Sequence, residues 1–357
     1  MEIFIGNEQQ FQGFITDFIY KNCDLSEKVF IITDETVKEC CLPTLSKVLH
    51  RFQTTIITIK QGEEHKDITQ CIDIWQQLID NKCNRKSFVF IIGGGIVCDL
   101  SGFAVSTFKR GIRYALLPTT LLAQTDAAIG GKNGINFGNI KNQIGLFSKP
   151  NAIIINTKFL STLDKRQLQS GLMEVVKHGL IAEPEILRQI DELTHQNNDT
   201  FDYRCISPTL LQSSIKVKTD IVNQDFEEKD IRKTLNFGHT IGHSIETIYM
   251  PNILHGEAIA FGMITALFLS ETYCNLSNAT VLKSIKYITN KIQVPPIATK
   301  DINKITDCII HDKKNTNQAI NFVLLKDIAK PVIDVAVEKE EIEKAILRTI
   351  NTLCMYE

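Results

Sequence analysis

The first half of the chain alternates short runs of β-branched and aromatic residues with amphipathic stretches. The apolar runs predict buried strands at Val29–Thr33, Thr54–Ile59, Phe88–Ile92, Tyr114–Leu117 and Ala152–Ile155. A helix is predicted over residues 66–81, where apolar side chains recur at helical spacing at Ile68, Cys71, Ile72, Trp75, Leu78 and Ile79. Strands that alternate with helices are typical of an α/β domain with a mostly parallel sheet.

After residue 157 the apolar pattern changes to long helical segments. These segments cover residues 164–182, 208–223, 234–249 and 255–273. Two later apolar runs, Ile320–Leu325 and Val332–Val337, predict a small hairpin or an added sheet, and a closing helix follows to about Leu353. Because 357 residues suffice for two cores, we predict an α/β domain over residues 1–157 and a mainly α-helical domain over 158–357.

Composition and charge narrow the class of protein. The net charge of −2 gives no overall field for nucleic acid or an anionic membrane, so neither is expected as a partner. The chain has neither a basic start followed by an apolar run nor a stretch of ~20 uncharged apolar residues. Its ten cysteines show no CxxC spacing and lie mostly in apolar segments, which favours buried thiols in a reducing compartment. We therefore expect a soluble cytoplasmic protein.

A glycine triplet follows the predicted strand Phe88–Ile92 and leads into a helical pattern. Without side chains, Gly93, Gly94 and Gly95 would let backbone N–H groups approach a phosphate at a helix N-terminus. A tight turn alone would also explain the triplet. Asp34, at the end of an earlier strand, could accept hydrogen bonds from a ribose or could cap a helix.

The segment 116–134 combines polar groups that suit an anion. It contains paired hydroxyls, a carboxylate and a lysine among glycines, and Lys141 and Asn142 follow closely; the segment's own polar residues are Thr119, Thr120, Asp126 and Lys132. Each lysine by itself would more often be a solvated surface residue. Their clustering favours an anion-binding site.

Three of the eight histidines lie within seventeen positions. His239 and His243 are four residues apart on a predicted helix, so they share one face, and His255 follows. An upstream helical segment carries Glu174 and Lys177 in apolar surroundings. Spacing alone favours His239 and His243 as a pair of metal ligands, with a carboxylate and a third histidine nearby.

Taken together, these segments resemble the 3-dehydroquinate synthases, within the wider sugar-phosphate cyclase family. The resemblance runs in order from about Asp34 to Lys314. Its most specific parts are GGGIVCD from residue 93, STFKRG from 106, PTTLLAQTDAAIGGK from 118, EVVKHG from 174, LNFGHTIGHSIE from 235 and LHGE from 254.

The resemblance implies an α/β nucleotide-binding domain, a helical metal-binding domain, NAD and zinc or cobalt as cofactors, and a homodimer. It implies Glu174, His239 and His255 as metal ligands, which moves His243 to the substrate. The substrate pocket would also contain Asp126, Lys177, Lys218, Arg232, Asn236 and Lys313 or Lys314. Lys132, Asn142 and His243 would hold its phosphate, and Arg110 would come from the neighbouring subunit. The implied NAD contacts are Asp34, Thr36, Glu63, Lys66, Gly94, Gly95, Ile96, Asp99, Thr119, Thr120, Leu122, Asp126, Lys132, Lys141 and Thr162.

The implied reaction converts 3-deoxy-D-arabino-heptulosonate 7-phosphate to 3-dehydroquinate. Transient oxidation by NAD at C5 acidifies the C6 proton, phosphate leaves, the hydride returns, and an intramolecular aldol step closes the ring. The sequence departs from the usual family pattern at Thr36, Cys98, Asn133 and Ile140, which affects the expected cofactor contacts.

Two other enzyme classes remain as alternatives. A sibling cyclase, such as an aminodehydroquinate synthase, would use the same chemistry on a related substrate. A metal-dependent polyol dehydrogenase would consume NAD, but a small polyol needs fewer cationic and amide groups than this chain offers. A sibling whose substrate lacks a carboxylate would not need Lys218, Arg232 and Asn236.

Overall fold

The computed structural model describes residues 1–138, 140–195, 206–312 and 319–355. The chain forms two compact units. Unit 1 contains Met1–Asp164 and the segment that ends at Ile215, and unit 2 contains the segment that begins at Lys165 and the chain from Lys216 onward.

Unit 1 is built on a parallel sheet. Its strands are β1 (Glu2–Gly6), β2 (Val29–Asp34), β3 (Thr54–Ile59), β4 (Phe88–Gly93), β5 (Arg113–Pro118), β6 (Lys132–Phe137), β7 (Ile140–Phe147) and β8 (Ala152–Asn156). Six of these strands pair in the order β1-β8-β5-β4-β2-β3, and every pairing is parallel. The predicted mostly parallel sheet is therefore confirmed, and β1 is an edge strand that the apolar pattern did not reveal.

Helices in unit 1 cover the apolar sheet. They are α1 (Glu8–Asn22), α2 (Glu35–Cys40), α3 (Ser46–Leu49), α4 (Ile68–Asp80) and α5 (Gly95–Thr107). Phe11, Ile15 and Phe18 of α1 belong to one buried cluster with Phe88 and Phe90 of β4. All residues of β2, β4 and β8 are buried, as expected for strands with both faces covered.

The strands β6 and β7 form a separate antiparallel hairpin. The sequence does not reveal this hairpin, because glycines and polar residues interrupt its apolar pattern. The hairpin contains two of the predicted anion-binding residues, Lys132 in β6 and Lys141 in β7.

Unit 2 is mainly helical, as predicted. Its elements are α6 (Lys165–Ile181), α7 (Glu185–His195), α8 (Pro208–Gln224), which begins in unit 1, α9 (His239–Tyr249), α10 (His255–Cys274), α11 (Asn278–Thr289), α12 (Ile302–Asp312), β9 (Ala319–Asp327), β10 (Lys330–Glu338) and α13 (Lys339–Leu353). The two late strands form the antiparallel hairpin that the sequence predicts. The helix predicted from residue 234 begins at His239, because Ile231–Asn236 form a 3₁₀ turn and Gly238 has a left-handed backbone.

The centre of unit 2 is α10. Its residues 256–270 are all buried, and it packs against α6, α9, α11, α13 and β9. A helix that is apolar on all sides has to be covered by its neighbours. Among the residues that the structure describes, no helix is both long enough and apolar enough to cross a membrane.

Glycines set the close approach of α9 to α10. A Cβ atom at Gly262 of α10 would lie 1.9 Å from the carbonyl oxygen of Gly238, which precedes α9. A Cβ atom at Gly242 would lie 2.7 Å from the Ile259 side chain. The histidines that begin α9 and α10 are therefore brought together by backbone packing.

We predict that Gly262→Ala destabilises unit 2 by about 1–3 kcal/mol, because the added methyl group overpacks a rigid backbone contact. Gly13→Ala is the matched control, since a Cβ atom at this exposed position of α1 meets nothing within 4 Å. It should be neutral or stabilise the helix by roughly 0.5–1 kcal/mol. Urea unfolding of both variants measures the difference, and equal midpoints would contradict the packing argument.

Candidate functional site

In unit 1, the carboxyl ends of three neighbouring strands lie side by side along one edge of the sheet. The strand β2 ends at Asp34, β4 at Gly93 and β5 at Pro118, directly before Thr119. The strand β3 lies on one side of β2, and β4 lies on the other side. The order in which successive strands are added to the sheet therefore reverses between β2 and β4. Parallel α/β sheets bind ligands at the carboxyl ends of their strands beside such a reversal.

The glycine triplet makes a tight turn from β4 into α5. A Cβ atom at Gly93 would lie 2.4 Å from Cβ of Val97, and Gly94 is the N-cap residue of α5. Beside this turn, the Thr119 hydroxyl is buried and has no hydrogen-bond partner among the described residues. Free backbone N–H groups at a helix N-terminus together with an unpaired hydroxyl suit a phosphate group.

Asp34 caps α2, and helix capping is one of the two roles predicted for it. Its Oδ1 accepts hydrogen bonds from the backbone N–H of Val37 at 2.9 Å and from Nε2 of Gln61 at 2.8 Å. The neighbouring Thr36 is exposed on the same helix. The carboxylate is therefore held in place at the edge where a ribose is expected.

Four predicted residues of unit 1 form one polar cluster. The buried Lys66 donates from Nζ to Asp99 Oδ2 and to Asn142 Oδ1, both at 2.7 Å. Asn136 accepts from the backbone N–H of Asn142 at 2.9 Å and donates to Glu63 Oε1 at 2.9 Å. Asn142, predicted on the phosphate side of the substrate, thus lies against a predicted NAD contact. Asn136 links the cluster from within β6, and no sequence pattern had indicated it.

The other predicted residues of unit 1 are more dispersed. Lys132 is the first residue of β6, and Arg110 is exposed with a left-handed backbone. The hydroxyl of Thr120 accepts a hydrogen bond from the backbone N–H of Ala123, and that of Thr162 donates to the carbonyl oxygen of Phe159. Asp126 lies in a π-helical turn. The side chains of Ile96 and Leu122 are half-buried.

In unit 2, Glu174 of α6 meets the first residues of α9 and α10. Glu174 Oε1 lies 3.6 Å from His239 Nε2 and 3.4 Å from His255 Nε2. The three atoms lie within 4.8 Å of one another. Ligands at 2.0–2.1 Å from a tetrahedral zinc ion are separated by about 3.3–3.4 Å, so this set fits such a cation. Glu174 Oε1 is buried and has no hydrogen-bond partner among the described residues, which also fits a ligand atom.

A hydrogen bond at Nδ1 orients each imidazole. His239 Nδ1 lies 3.3 Å from the carbonyl oxygen of Phe237, and His255 Nδ1 lies 3.2 Å from Glu246 Oε2. With protons on the Nδ1 atoms, both Nε2 lone pairs are directed at Glu174. Such outer partners are typical of histidine ligands. Sequence reasoning missed this role of Glu246, although it lies on the His239 face of α9, two turns away.

The Glu174 carboxylate is completely buried, and Lys177, one turn along α6, donates to its Oε2. Burial raises the pKa of Glu174, but the Lys177 charge and the two imidazoles outweigh it and hold the pKa well below its usual range. Burial and the charge of Lys177 lower the pKa of His239. Burial also lowers the pKa of His255, but Glu246 and Glu174 outweigh this and raise it to about 10. A cation at His255 Nε2 therefore has to displace a proton.

His243 lies beside this centre, on the exposed face of α9. Its ring centroid is 5.0 Å from that of His239 and 6.2 Å from that of His255. It does not join the Glu174 group, although it forms a second group of possible ligands with Glu246 and His255. The geometry thus favours the ligand set that the family resemblance implies over the His239 and His243 pair that spacing suggested.

Other predicted residues of unit 2 are largely buried. Lys218 on α8 is 6% exposed and Arg232 is 2% exposed, with its guanidinium donating to the Phe226 carbonyl oxygen. Asn236 donates from Nδ2 to Glu228 Oε1 at 2.8 Å, a partner that sequence reasoning missed, and both line a cavity of ≈ 490 Å³. Lys313 and Lys314 lie outside the described residues.

Comparisons with known proteins agree on one family. Residues 56–170 match the family model of the 3-dehydroquinate synthase N-terminal domain, and 171–315 match that of the C-terminal domain. The 3-dehydroquinate synthase of Parabacteroides distasonis is 36% identical over 342 residues, which cover 95% of this chain and 94% of the relative.

Two solved structures are similar over nearly the whole chain. One is 2-deoxy-scyllo-inosose synthase complexed with carbaglucose-6-phosphate, NAD⁺ and Co²⁺, with a TM-score of 0.83, 26% identity and coverage of 97% of this chain and 96% of the other. The second is 2-epi-5-epi-valiolone synthase from Streptomyces hygroscopicus with NAD⁺ and Zn²⁺ bound, with a TM-score of 0.82, 26% identity and coverage of 93% and 92%. Both family models and the close relative establish that this chain belongs to the 3-dehydroquinate synthase family.

Proposed function

We propose that the protein is a 3-dehydroquinate synthase, a lyase that converts 3-deoxy-D-arabino-heptulosonate 7-phosphate to 3-dehydroquinate and phosphate. This reaction belongs to the shikimate pathway, which leads to chorismate and the aromatic amino acids. The observation that carries the proposal is the convergence of Glu174, His239 and His255 beside Lys177, in a chain whose two halves both match this family.

The cofactors we propose are NAD and a divalent cation, zinc or cobalt, as found in the two similar structures. Glu174, His239 and His255 would hold the cation, and the edge formed by Asp34, Gly94, Gly95 and Thr119 would hold the dinucleotide. When bound, NAD supplies a reversible hydride acceptor for C5, and the cation supplies a Lewis acid for the oxygen on that carbon.

The buried Lys177 keeps Glu174 ionised, and its ammonium group provides a positive charge close to the ligand set. Such a charge stabilises negative charge that develops on a substrate oxygen in a water-poor site. Asp126 is proposed as a second polar group that orients substrate hydroxyls.

The substrate has a carboxylate at one end and a phosphate at the other. For the carboxylate we propose Arg232, whose planar fork suits bidentate binding, together with Lys218, Asn236 and a lysine of the pair Lys313 and Lys314. The phosphate-binding residues proposed are Lys132, Asn142, His243 and, from a second subunit, Arg110. Once the C6 proton is acidified, the departing phosphate is itself a suitable acceptor for it.

The wider organisation follows from the same proposal. Residues 1–157 would form the NAD-binding domain and residues 158–357 the metal- and substrate-binding domain. We propose a cytoplasmic homodimer, because Arg110 is assigned to the neighbouring subunit's site.

We predict release of phosphate from the heptulosonate phosphate that requires both NAD and the cation. A chelator should abolish the activity, and added zinc or cobalt should restore it. No NADH should accumulate, because the hydride returns to the substrate. Lasting NADH absorbance with small polyols, or no phosphate release by the loaded protein, would favour a polyol dehydrogenase or a sibling cyclase.

Glu174→Gln, His239→Ala and His255→Ala should each weaken cation binding by more than about 100-fold, because even outer partners of ligands contribute about 10–100-fold. His243→Ala, a neighbouring imidazole on the same helix, is the matched control and should retain the cation while losing rate. Metal content after dialysis and turnover of all four variants measure this. Loss of metal from His243→Ala with retention in His255→Ala would show that the ligand set is wrong.

Arg232→Lys should raise KM for the substrate about tenfold or more, because lysine cannot replace a bidentate guanidinium at a carboxylate. Inhibition by inorganic phosphate should be unchanged, since other residues bind the phosphate end. The two measurements separate the roles: an unaltered KM would exclude Arg232 from the carboxylate subsite, whereas parallel loss of phosphate inhibition would indicate general damage.

A further inference from the structure

Arg166, in the first turn of α6, joins that helix to the start of α10. Its guanidinium donates from Nε to Glu257 Oε1 at 2.6 Å and from Nη2 to Glu257 Oε2 at 2.8 Å. Nη2 also donates to the carbonyl oxygen of Asn252 at 2.6 Å. The paired donors match both carboxylate oxygens, so the contact fixes orientation as well as distance.

Glu257 connects this contact to the backbone around His255. Its Oε2 also accepts from the backbone N–H of Leu254 at 2.8 Å, which caps the first turn of α10. On the other side of His255, the backbone N–H of Gly256 donates to Ser170 Oγ of α6 at 2.9 Å. Residues on both sides of His255 are therefore hydrogen-bonded, directly or through Glu257, to α6.

The backbones of α6 and α10 are in direct contact at Ser170 and Gly256. A Cβ atom at Gly256 would lie 2.0 Å from the carbonyl oxygen of Ser170. Ser170 is one helical turn before Glu174, and Gly256 directly follows His255. The contact between Ser170 and Gly256 therefore limits how far the backbone that carries His255 can move from the backbone that carries Glu174; Glu174 Oε1 and His255 Nε2 are 3.4 Å apart.

We infer that Arg166, Ser170, Gly256 and Glu257 form a clasp that positions His255 against Glu174, with Arg166 as a positioning residue for the cation site. The inference rests on the proposed cation-binding function. Arg166 acts through Glu257 and touches none of the three ligands. The fork of the guanidinium is required, because the three N–H donors of a lysine ammonium are on one nitrogen and cannot reproduce the separate Nε and Nη2 positions that bind the two carboxylate oxygens and Asn252.

This role is distinct from a contribution to overall stability. The Arg166 side chain is 54% exposed but that of Glu257 is 8% exposed, so removing the guanidinium also takes a counter-charge from a buried carboxylate and costs some folding stability. Misplacing a ligand, in contrast, weakens a metal site strongly, because coordination tolerates deviations of only about 0.2 Å. Loss of the clasp should therefore reduce cation affinity by more than the loss of folding stability explains, and the two effects are measured separately.

The experiment compares Arg166→Gln, Arg166→Lys and Arg188→Gln in the full chain. Arg188 is the matched control, since it pairs with Glu185 and Glu192 on the surface of α7 in the same unit. Cobalt affinity is measured by competition with a chromophoric chelator, the visible spectrum of bound cobalt reports coordination geometry, and thermal melting of the metal-free protein reports folding.

Both Arg166 variants should bind cobalt about 10-fold to 100-fold more weakly than the wild type, with an altered cobalt spectrum. Arg188→Gln should match the wild type in both. Wild-type cobalt affinity and spectrum in Arg166→Gln would overturn the inference, as would full rescue by lysine or an affinity loss no larger than that of Arg188→Gln.

Two further measurements cover the remaining outcomes. If metal-free Arg166→Gln melts far below the wild type, Ser170→Ala tests the clasp instead, because it removes the hydrogen bond to Gly256. Wild-type cobalt affinity in Ser170→Ala would overturn the inference. If the wild type itself fails to bind cobalt or zinc, the proposed function fails, which is distinguishable from failure of the clasp alone.

Discussion

The candidate site of unit 2 is organised around one buried charge, the carboxylate of Glu174. Isolating an ionised carboxylate from water is costly, so its oxygens need positive or hydrogen-bonding partners. Lys177 satisfies Oε2, whereas Oε1 has no hydrogen-bond partner among the described residues and lies near the two imidazole Nε2 atoms. A cation at that point would satisfy all three atoms at once. The same charge explains why removing Lys177 should be more damaging than its role in binding suggests, because Glu174 would lose a buried counter-charge that donates to Oε2.

Helix packing determines which residues surround that charge. α10 is buried along most of its length, and glycines allow its backbone to approach α6 at Gly256 and the start of α9 at Gly262. His239 and His255, the two histidines proposed as ligands, are the first residues of their helices, where side chains point toward the helix N-terminus. The LHGE and LNFGHTIGH motifs therefore combine the proposed ligands with the small residues that permit their convergence.

Local sequence patterns were sufficient for five of the six strands of the parallel sheet, for most helices of unit 2 and for the residues near the candidate cation site. Strands with both faces buried are continuous apolar runs, and His239 and His243 share a face because helical spacing requires it. Spacing could not decide between His243 and His255, since that choice depends on how α9 meets α10. Asn136, Glu246 and Arg166 were missed for the same reason: Arg166 and Glu257 are 91 positions apart, and only the fold brings them together. The hairpin β6–β7 was missed because its glycines and polar residues weaken the strand pattern.

The imidazoles of His239 and His255 are polarised differently, and this difference affects the charge of a cation bound between them. His239 is backed by a neutral carbonyl, whereas His255 is backed by the Glu246 carboxylate. A divalent cation with one carboxylate and two neutral imidazoles keeps a local charge of about +1, and the outer carboxylate reduces this without adding a ligand. The buried Lys177 acts in the opposite direction, because its ammonium already neutralises much of the Glu174 charge. A cation held by Glu174, His239 and His255 would thus keep enough positive charge to polarise a hydroxyl. With three protein ligands, a coordination position would remain open for the substrate oxygen.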